Sequence, residues 1–195
     1  MLPIIVTSSP KYAHLIPKFQ ELYQKHWGED RTILFSVASE GESWTDQMIR
    51  ILLTVKWPYF IRLSEEFFFT DDVDKILLAE LETMIQPDGI FRIGLQTVHE
   101  GYDNCSKSLQ NGLFLLDKNA EYLASFEASI YKTSLLFPLL TSGEHIWEAE
   151  GSCSKKAREL GYTVLVTEKR VLPYKDAMRR GQSRHPEFKD ICESV

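Results

Sequence analysis

Residues 57–70 read WPYFIRLSEEFFFT, a short apolar run that ends in two adjacent carboxylates and then becomes aromatic. Positions 59–63 predict a buried strand, because Pro58 opens the run and β-forming residues dominate it. Glu65 and Glu66 follow directly, and two acids at the end of a buried strand are costly unless something neutralises them. In an open α/β sheet, ligands gather outside the carboxyl ends of the strands, where we expect these two acids to lie.

A divalent cation is one partner that would neutralise this pair of acids. Hard cations such as Mg²⁺ and Mn²⁺ favour carboxylate oxygens. We therefore predict that Glu65 and Glu66 form the metal end of a site for a phosphorylated substrate. An ordinary exit from strand to loop, with both charges in solvent, accounts for the same residues.

The segments before this stretch predict a parallel sheet. Two β-forming runs, at 4–7 and 32–37, enclose a helical pattern that begins at Tyr12, and a second amphipathic helix is predicted at 44–55. Strand, helix, strand is the order typical of a parallel α/β sheet. We expect an α/β fold with a Rossmann-like, mixed but mostly parallel sheet flanked by helices.

The later segments continue this pattern. The predicted elements are a helix that starts at Thr70-Asp71-Asp72, strands at 90–95, 112–116 and 122–128, a short helix from Lys132, another at 154–160, and a last strand at 162–167. Asp71, Asp72 and Asp74 are expected in the first turn of their helix, where acids favour the helix dipole. The polar segment 97–111 is expected to be a long surface excursion.

The Thr7-Ser8-Ser9 loop would lie at the carboxyl end of the first strand. Its hydroxyls and amides, with the following helix N-terminus, suit a nucleotide base, ribose or phosphate. The loop lacks both the Gly-x-Gly-x-x-Gly fingerprint and a P-loop, which disfavours dinucleotide and P-loop ATPase sites. Ser8 or Ser9 would also serve simply as a helix cap, and the two roles are compatible.

Asp46 and Arg50 lie four residues apart near the start of the predicted helix at 44–55. The plain interpretation is a surface ion pair of small value. Near the amino end of a helix that approaches the site, Asp46 would instead contact a ligand. Both interpretations of Asp46 stay open at this point.

A second candidate cluster is residues 143–152, GEHIWEAEGS. Trp147 offers a platform for the apolar face of a sugar or base. Glu148 and Glu150 flank a small residue, and a nearby carboxylate is what an attacking hydroxyl needs as general base. The alternative is a solvated, acid-rich helix start, which fits Glu144 better than it fits Trp147.

The end of the chain is locally basic, although the protein is acidic overall. The basic residues are Lys169, Arg170, Lys175, Arg179, Arg180 and Arg184. Such a cluster would clamp a diphosphate. A solvated tail packed on the domain explains the composition equally well.

Composition excludes several classes of protein. A net charge of −6 argues against a general nucleic-acid binder, and no apolar run approaches the roughly 20 residues needed to span a bilayer. The three cysteines show neither a disulfide framework nor zinc-ligand spacing, so we expect a reducing cytoplasm. The length of 195 residues fits one domain, 1–195, which would stand alone or form the first domain of a longer protein.

Taken in order, these stretches resemble one family. The chain is similar to the small GT-A-type glycosyltransferases of bacteria and large DNA viruses, many of which are described as lipopolysaccharide-biosynthesis-like proteins. The resemblance runs through most of the chain and rests on the order and spacing of several pieces. These are Ser43-Trp44, residues 59–69, 90–95 and 125–131, the IWEAEGS stretch at 146–152, and the tail at 174–181.

The resemblance implies a nucleotide-sugar donor, a divalent metal at the acidic strand end, and transfer of the sugar to a hydroxyl. Such folds usually carry an Asp-x-Asp motif, whereas the matching positions here are Ser64-Glu65-Glu66. Glu66 stands where the acid that reaches the metal is expected. The Trp-Glu-x-Glu segment matches the place where such enzymes hold the acceptor and the base.

The resulting hypothesis is a glycosyltransferase that moves a sugar from a nucleoside-diphosphate sugar, with UDP favoured, to a hydroxyl of a glycan acceptor by direct inverting displacement. Mn²⁺ or Mg²⁺ is the expected cofactor. The nucleotide is assigned to Thr7, Ser8, Ser9, Tyr12, Asp46, Ser64, Glu65 and Arg92, the metal to Glu65 and Glu66, the base to Glu148 or Glu150, and the acceptor contact to Trp147.

Two rival functions use the same residues. A non-catalytic nucleotide- or sugar-binding module would keep the fold and lose chemistry together with its aspartates. A metal-dependent phosphodiesterase or nuclease would need more carboxylates and a histidine gathered at the metal. The five histidines are scattered along the chain, which counts against the second rival.

Overall fold

The computed structural model describes residues 1–28, 31–97, 105–109, 112–179 and 182–193. The strands are β1 Ile4–Ser8, β2 Ile33–Val37, β3 Tyr59–Ser64, β4 Phe67–Phe69, β5 Ile90–Thr97, β6 Cys105–Ser108, β7 Leu113–Leu116, β8 Ser129–Lys132, β9 Thr163–Thr167, β10 Tyr174–Asp176, β11 Met178–Arg179 and β12 Gln182–Ser183. The helices are α1 Ile16–His26, α2 Trp44–Val55, α3 Lys75–Met84, α4 Thr133–Leu136, α5 Ile146–Glu159 and α6 Lys189–Cys192, with 3₁₀ turns at Pro10–Leu15, Phe137–Leu139 and Pro186–Phe188.

Eight of these strands form the main sheet, in the order β2-β1-β3-β8-β5-β9-β7-β6. Strands β8 and β7 run antiparallel to their neighbours, and the other six share one direction. The expected mixed, mostly parallel sheet is therefore confirmed.

Both faces of the sheet are covered, and β1 shows how. Ile4 and Val6 pack into the core beneath α1 and α3, whereas Ile5 packs into the core beneath α2 and α5. All three side chains are fully buried. Successive side chains of a strand point to opposite faces, so a run of apolar residues without polar alternation predicts a strand covered on both sides.

The register of the central strands determines where the chain carries its polar groups. β1 and β3 are parallel neighbours, with Thr7 opposite Ser64. Their carboxyl ends therefore lie side by side, and Ser8 meets Glu65 at the same edge of the sheet. After the turn at Glu65 and Glu66, β4 pairs antiparallel with β10, which brings the end of the chain back to this edge.

The predicted strand at 122–128 is wrong, because this segment forms turns that lead into β8. Its backbone is held by side chains instead of a neighbouring strand. Glu150 accepts from the N–H of Phe126, Ser154 Oγ accepts from the N–H of Ala124, and Arg62 donates to the carbonyl of Phe126. These contacts satisfy the backbone groups that a strand would have paired in a sheet.

Four smaller predictions also need correction. α3 begins at Lys75 with Asp74 as its N-cap, so no acid occupies its first turn. α5 begins at Ile146, eight residues before the predicted helix. β9 is followed by β10, β11 and β12, so it is not the last strand, and the segment expected to be a long surface excursion contains the strand β6. Positions 98–104 and 110–111 of that segment lie outside the described residues.

Candidate functional site

A cleft of about 930 Å³ opens at the carboxyl ends of β1 and β3. It brings together stretches that are far apart in sequence. The predicted site residues that line it are Thr7, Ser8, Ser9, Tyr12, Ser64, Glu65, Glu66, Trp147 and Glu150. The cleft thus joins the hydroxyl-rich loop, the acidic strand end and the start of α5.

Glu65 is held at the base of this arrangement by two hydroxyls. Its Oε1 accepts from Ser8 Oγ at 3.0 Å, and its Oε2 accepts from Ser64 Oγ at 2.8 Å. The side chain is 3% exposed. Burial raises the pKa of the Glu65 carboxyl, while the two hydroxyls and the charge of Arg62 act in the opposite direction. Glu65 therefore links β1 to β3 at the point where both strands end.

No hydroxyl of the described residues donates to the carboxylate of Glu66, the second acid of the pair. Burial raises its pKa to about 8, and the charges of Glu65 and Asp176 add to the shift, against the opposing effect of Arg62 and Arg184. Its backbone carbonyl accepts from the N–H of Ala177 at 2.8 Å, which ties the turn to the end of β10. The turn therefore brings Glu66 close to two further acids, Glu65 and Asp176.

Arg62, which sequence reasoning did not select, lies at the centre of the site. The side chain is 2% exposed, donates to the carbonyl of Phe126, and donates from Nη2 to Thr7 Oγ1 at 3.1 Å. A charged residue inside an otherwise apolar strand was the available signal, since a buried charge requires partners.

Gln47 is a second residue that the sequence did not single out. It lies in the first turns of α2, and its Nε2 is 2.8 Å from the carbonyl oxygen of Ser36 and 3.2 Å from that of Ser8. These contacts fix the ends of β1 and β2 against the helix. The sequence did not indicate this role, because Gln47 is a single polar residue next to the apolar face of an amphipathic helix.

Glu150 and Trp147 form the wall that α5 contributes. Glu150 Oε1 accepts from the backbone N–H of Phe126 at 2.6 Å. Burial raises the pKa of the Glu150 carboxyl, and the Phe126 N–H, Arg62 and Arg92 oppose that effect. Trp147 is 65% exposed, so its ring is available at the mouth of the cleft.

Glu148 does not line the cleft. It forms a capping box with His145 at the start of α5: the Glu148 N–H donates to His145 Nδ1 at 3.3 Å, and the His145 N–H donates to Glu148 Oε2 at 3.2 Å. The side chain is 58% exposed. The structure therefore separates two carboxylates that the sequence presented as equivalent.

Asp46 and Arg92 also lie outside the lining of the cleft. Asp46 accepts from the hydroxyls of Ser43 and Ser142, each at 2.6 Å, and Arg50 pairs with Glu42 instead of Asp46. Arg92 is fully buried and donates to Ser129 Oγ and to the carbonyl of Leu123. Arg92 thereby supports the turn segment that carries Phe126.

The basic end of the chain lines the cleft through Arg170, Lys175, Arg184 and His185. Arg184 Nη1 donates to Asp176 Oδ2 at 3.0 Å, and Lys175 donates to Glu187 at 2.8 Å. Both pairs are about 40% exposed or more, so these cations remain in contact with solvent. Arg179 falls where its side chain is not described, and Arg180 lies outside the described residues.

No group of three or more histidine, cysteine, aspartate or glutamate side chains suited to a metal occurs within the described ranges. The helices in the same ranges include none that is both long and apolar enough to cross a bilayer. The two described thiols, Cys153 and Cys192, are buried and unpaired.

Comparisons with known proteins identify the fold but do not assign the chain to a protein family. No protein-family model and no curated protein sequence matches the chain. Among solved structures, S. aureus TarS 1–349 in complex with UDP-GlcNAc matches with a TM-score of 0.59 and 10% identity, over 94% of this chain and 60% of TarS. The mannosyltransferase PcManGT from Pyrobaculum calidifontis, in complex with GDP-Man and Mn²⁺, matches with a TM-score of 0.56 and 11% identity, over 100% of this chain and 69% of that one.

A cytidylyltransferase from Leptospira borgpetersenii also matches, with a TM-score of 0.50 and 10% identity, over 90% of this chain and 81% of that one. At such low identities the likeness concerns the fold alone. The chain has the GT-A-like, Rossmann-like α/β fold that nucleotide-sugar glycosyltransferases and nucleotidyltransferases share.

Proposed function

We propose that this protein is a glycosyltransferase that moves a sugar from a nucleoside-diphosphate sugar, with UDP favoured, to a hydroxyl of a glycan acceptor. One observation carries the proposal. The cleft at the carboxyl ends of β1 and β3 gathers the Thr7–Ser9 loop, the acids Glu65 and Glu66, and Trp147 with Glu150 in one space. This is the edge of an α/β sheet at which ligands bind.

The structural neighbours support this proposal over one for an unrelated reaction. TarS holds UDP-GlcNAc, and PcManGT holds GDP-Man with Mn²⁺. Both are nucleotide sugars, and both proteins match nearly the full length of this chain. We therefore take a nucleotide sugar as the substrate class to be tested first.

The nucleotide is assigned to Thr7, Ser8, Ser9, Tyr12 and Ser64. Ser9 Oγ is buried and has no hydrogen-bond partner among the described residues, so its hydroxyl is available to a ligand. The backbone of this loop leads into the 3₁₀ turn at Pro10–Leu15 and then into α1. The cations Lys175 and Arg184 line the same cleft and suit a diphosphate.

A divalent cation, Mn²⁺ or Mg²⁺, fits this site through Glu66. The raised pKa of Glu66 reflects burial next to Glu65 and Asp176, and a bound cation would compensate that charge. Mg²⁺ is commonly held by one or two carboxylates together with substrate phosphates, so a full protein cage is not required. Both carboxylate oxygens of Glu65 accept hydrogen bonds from hydroxyls, so Glu65 would assist Glu66 in holding the cation. A bound cation would supply Lewis-acid stabilisation of the departing diphosphate.

Glu150 is the proposed general base. The attacking hydroxyl oxygen forms a bond to the anomeric carbon and passes its proton to the Glu150 carboxylate. The bond between that carbon and the diphosphate oxygen breaks, and its electron pair leaves with the diphosphate. A partly desolvated carboxylate has the raised pKa that suits a base near neutral pH. Trp147 would pack against the apolar face of the acceptor sugar.

Titration calorimetry with nucleoside diphosphates and nucleotide sugars, with and without Mn²⁺, tests the proposal. We expect metal-dependent binding of one nucleotide that is lost in Glu66→Ala and retained in Asp88→Ala, a fully exposed surface acid that does not line the cleft. Absence of binding by the folded protein to every member of the panel would refute a donor site.

Activity separates the proposed enzyme from its rivals once a nucleotide binds. Mn²⁺-dependent hydrolysis of the sugar donor would support a transferase. Binding without hydrolysis or transfer would indicate a non-catalytic module. Cleavage of a simple phosphodiester in place of the sugar donor would indicate the metal-dependent phosphodiesterase.

A further inference from the structure

Several buried polar atoms at the cleft have no hydrogen-bond partner in the part of the chain that the structure describes. Four buried side-chain nitrogen or oxygen atoms among the described residues lack a hydrogen bond: Ser9 Oγ, His14 Nε2, Trp44 Nε1 and Arg62 Nε. Three of these belong to residues that line the cleft. Buried polar groups are nearly always satisfied, so this concentration points to a ligand that completes them.

Trp44 and Arg62 form the centre of this unsatisfied group. The Cζ of Arg62 lies 5.9 Å from the centroid of the Trp44 ring and 5.7 Å from that of Phe67. Arg62 uses two of its five N–H groups to donate to Thr7 and to the carbonyl of Phe126, and its buried Nε–H has no hydrogen-bond partner among the described residues. The indole and guanidinium groups have donors and no acceptor, so their partner must offer lone pairs.

The charges around Arg62 restrict what that partner can be. Its guanidinium interacts electrostatically with Glu65, Glu66 and Glu150, although no ion pair within 4.0 Å joins it to an acid in the described part of the chain. A ligand group with its own negative charge would be repelled by those of the three acids that are ionised. A neutral group with oxygen lone pairs would satisfy the two donors without that repulsion.

Aromatic surface completes the surroundings of these donors. The Trp44 ring packs on Phe126 with centroids 4.2 Å apart, and both residues line the cleft. Aromatic rings pack well on the apolar faces of sugars, and neutral sugars present ring and hydroxyl oxygens as acceptors. Oxygen acceptors, low charge and an aromatic wall are together properties of a neutral pyranose.

We propose that Arg62 and Trp44 form the subsite for the transferred sugar, donating from Nε and Nε1 to its oxygens, and that the acids around them select a neutral pyranose over a carboxylated one. This proposal rests on the proposed function, because it names the sugar class that the donor carries. It adds two specificity-determining residues that lie outside the acidic strand end and outside the start of α5.

Binding measurements with paired ligands test it. The ligands are UDP, UDP-glucose and UDP-glucuronate, with GDP and GDP-mannose as the second set, each titrated in the presence of Mn²⁺. The variants are Trp44→Phe, which removes the indole N–H and reduces the size of the ring while keeping an aromatic side chain, and Arg62→Lys, which keeps the charge. Trp57→Phe is the matched control, because Trp57 packs in the core outside the cleft lining.

We expect Trp44→Phe to weaken binding of the nucleotide sugar by roughly 3- to 10-fold, the value of one hydrogen bond, and to leave binding of the nucleoside diphosphate within about 2-fold. Arg62→Lys also loses the contact with Thr7, so it should weaken binding of both ligands, and binding of the nucleotide sugar more strongly. Trp57→Phe should change neither. Wild-type protein should bind UDP-glucose at least about 10-fold more tightly than UDP-glucuronate. Trp44→Phe retains the contacts of Arg62, so it tests the idea even if Arg62→Lys does not fold.

Three outcomes would overturn the inference. If both variants weaken the nucleoside diphosphate as much as the nucleotide sugar, the donors bind the nucleotide. If neither variant changes any ligand, or if the carboxylated sugar binds as well as the neutral one, the donors hold water and do not select a sugar. Failure of the wild-type protein to bind any nucleotide would instead remove the donor site itself, and the subsite with it.

Discussion

Ser8 Oγ lies 3.0 Å from Oε1 of Glu65, so a nearly buried hydroxyl–carboxylate contact joins the end of β1 to the end of β3. The register of the two strands explains this proximity, since Thr7 is opposite Ser64 and the following residues meet at the sheet edge. A carboxylate buried to this degree depends on its hydrogen bonds. The same contact therefore contributes both to stability and to the shape of the cleft.

Ser8→Ala should destabilise the protein by about 1–3 kcal/mol, because it leaves Oε1 of a buried carboxyl without a donor. Urea unfolding at pH 7 measures the change. Ser39→Ala is the control: Ser39 is exposed in the loop after β2, and we expect a change within about 0.5 kcal/mol. Equal effects of the two variants would show that the Ser8 hydroxyl does not support Glu65.

Glu150→Gln should lower the rate of sugar transfer by about 10²- to 10⁴-fold, the usual contribution of a general base. Glu148→Gln should leave the rate within a few-fold, because Glu148 caps α5 and does not line the cleft. Initial rates with saturating donor measure both variants. The assignment of the base would be wrong if Glu148→Gln lost the greater part of the rate.

The pH dependence of the wild-type rate provides a separate test of Glu150. Burial raises the pKa of its carboxyl, so the rate should rise with pH above the ordinary glutamate range, as the base loses its proton. Glu150→Gln removes the titrating group, and the residual rate should lose this rise. A rise that survives in Glu150→Gln would assign it to another group.

Glu66→Gln should stabilise the metal-free protein progressively as the pH rises. The pKa of Glu66 is about 8 in the folded protein against an ordinary value of 4.5. The folded state therefore keeps a proton that the unfolded state has released, and the associated stability is full below pH 4.5 and lost as the pH rises through 8. Glutamine does not ionise, so the variant lacks this loss.

Urea unfolding of both proteins at about pH 5, 7 and 9 in the presence of a chelator measures this difference. The difference in free energy of unfolding between Glu66→Gln and the wild-type protein should grow with pH to a few kcal/mol, since each pKa unit corresponds to about 1.4 kcal/mol. A difference that is constant with pH would mean that Glu66 titrates normally and is not held among uncompensated acids.

The sequence predicted the sheet well where local signals were sufficient. β3 follows from Pro58 and the apolar run after it, and α2 spans the residues that its amphipathic pattern indicates. The segment 122–128 could not be predicted in this way. It has the alternation of a strand, but its backbone groups bond to Arg62, Arg92, Glu150 and Ser154, which are between 24 and 64 residues away.

Three separate segments of the candidate site were predictable from the sequence, but the role of Arg62 between them was not. The Thr7–Ser9 loop, the acids after β3 and the start of α5 were each visible as local patterns, and the cleft contains residues from all three. The separate placements of Glu148 and Glu150 depend on which side of α5 faces the sheet, and a two-residue spacing does not reveal that. Arg62 was visible as a charge within an apolar strand, but its position at the cleft could not be predicted because its partners, Thr7 and Phe126, come from other elements.

Arg31→Met should destabilise the fold by about 3 kcal/mol without changing nucleotide affinity. Arg31 and Glu82 form an ion pair in which the two side chains are 1% and 9% exposed, and neither lines the cleft. Removing the arginine leaves a buried carboxylate whose other contacts within the described residues are the Leu2 N–H at 3.2 Å and the Met1 amine at 3.7 Å. The double variant Arg31→Met, Glu82→Leu should recover much of the loss, because no buried charge is then left unpaired.

Asp88→Ala is the control for this prediction. It breaks the exposed pair with Lys132 and should cost about 0–1 kcal/mol of stability. Urea unfolding and nucleotide titration of all three proteins measure these effects, and a double variant no more stable than Arg31→Met would contradict the role given to Glu82.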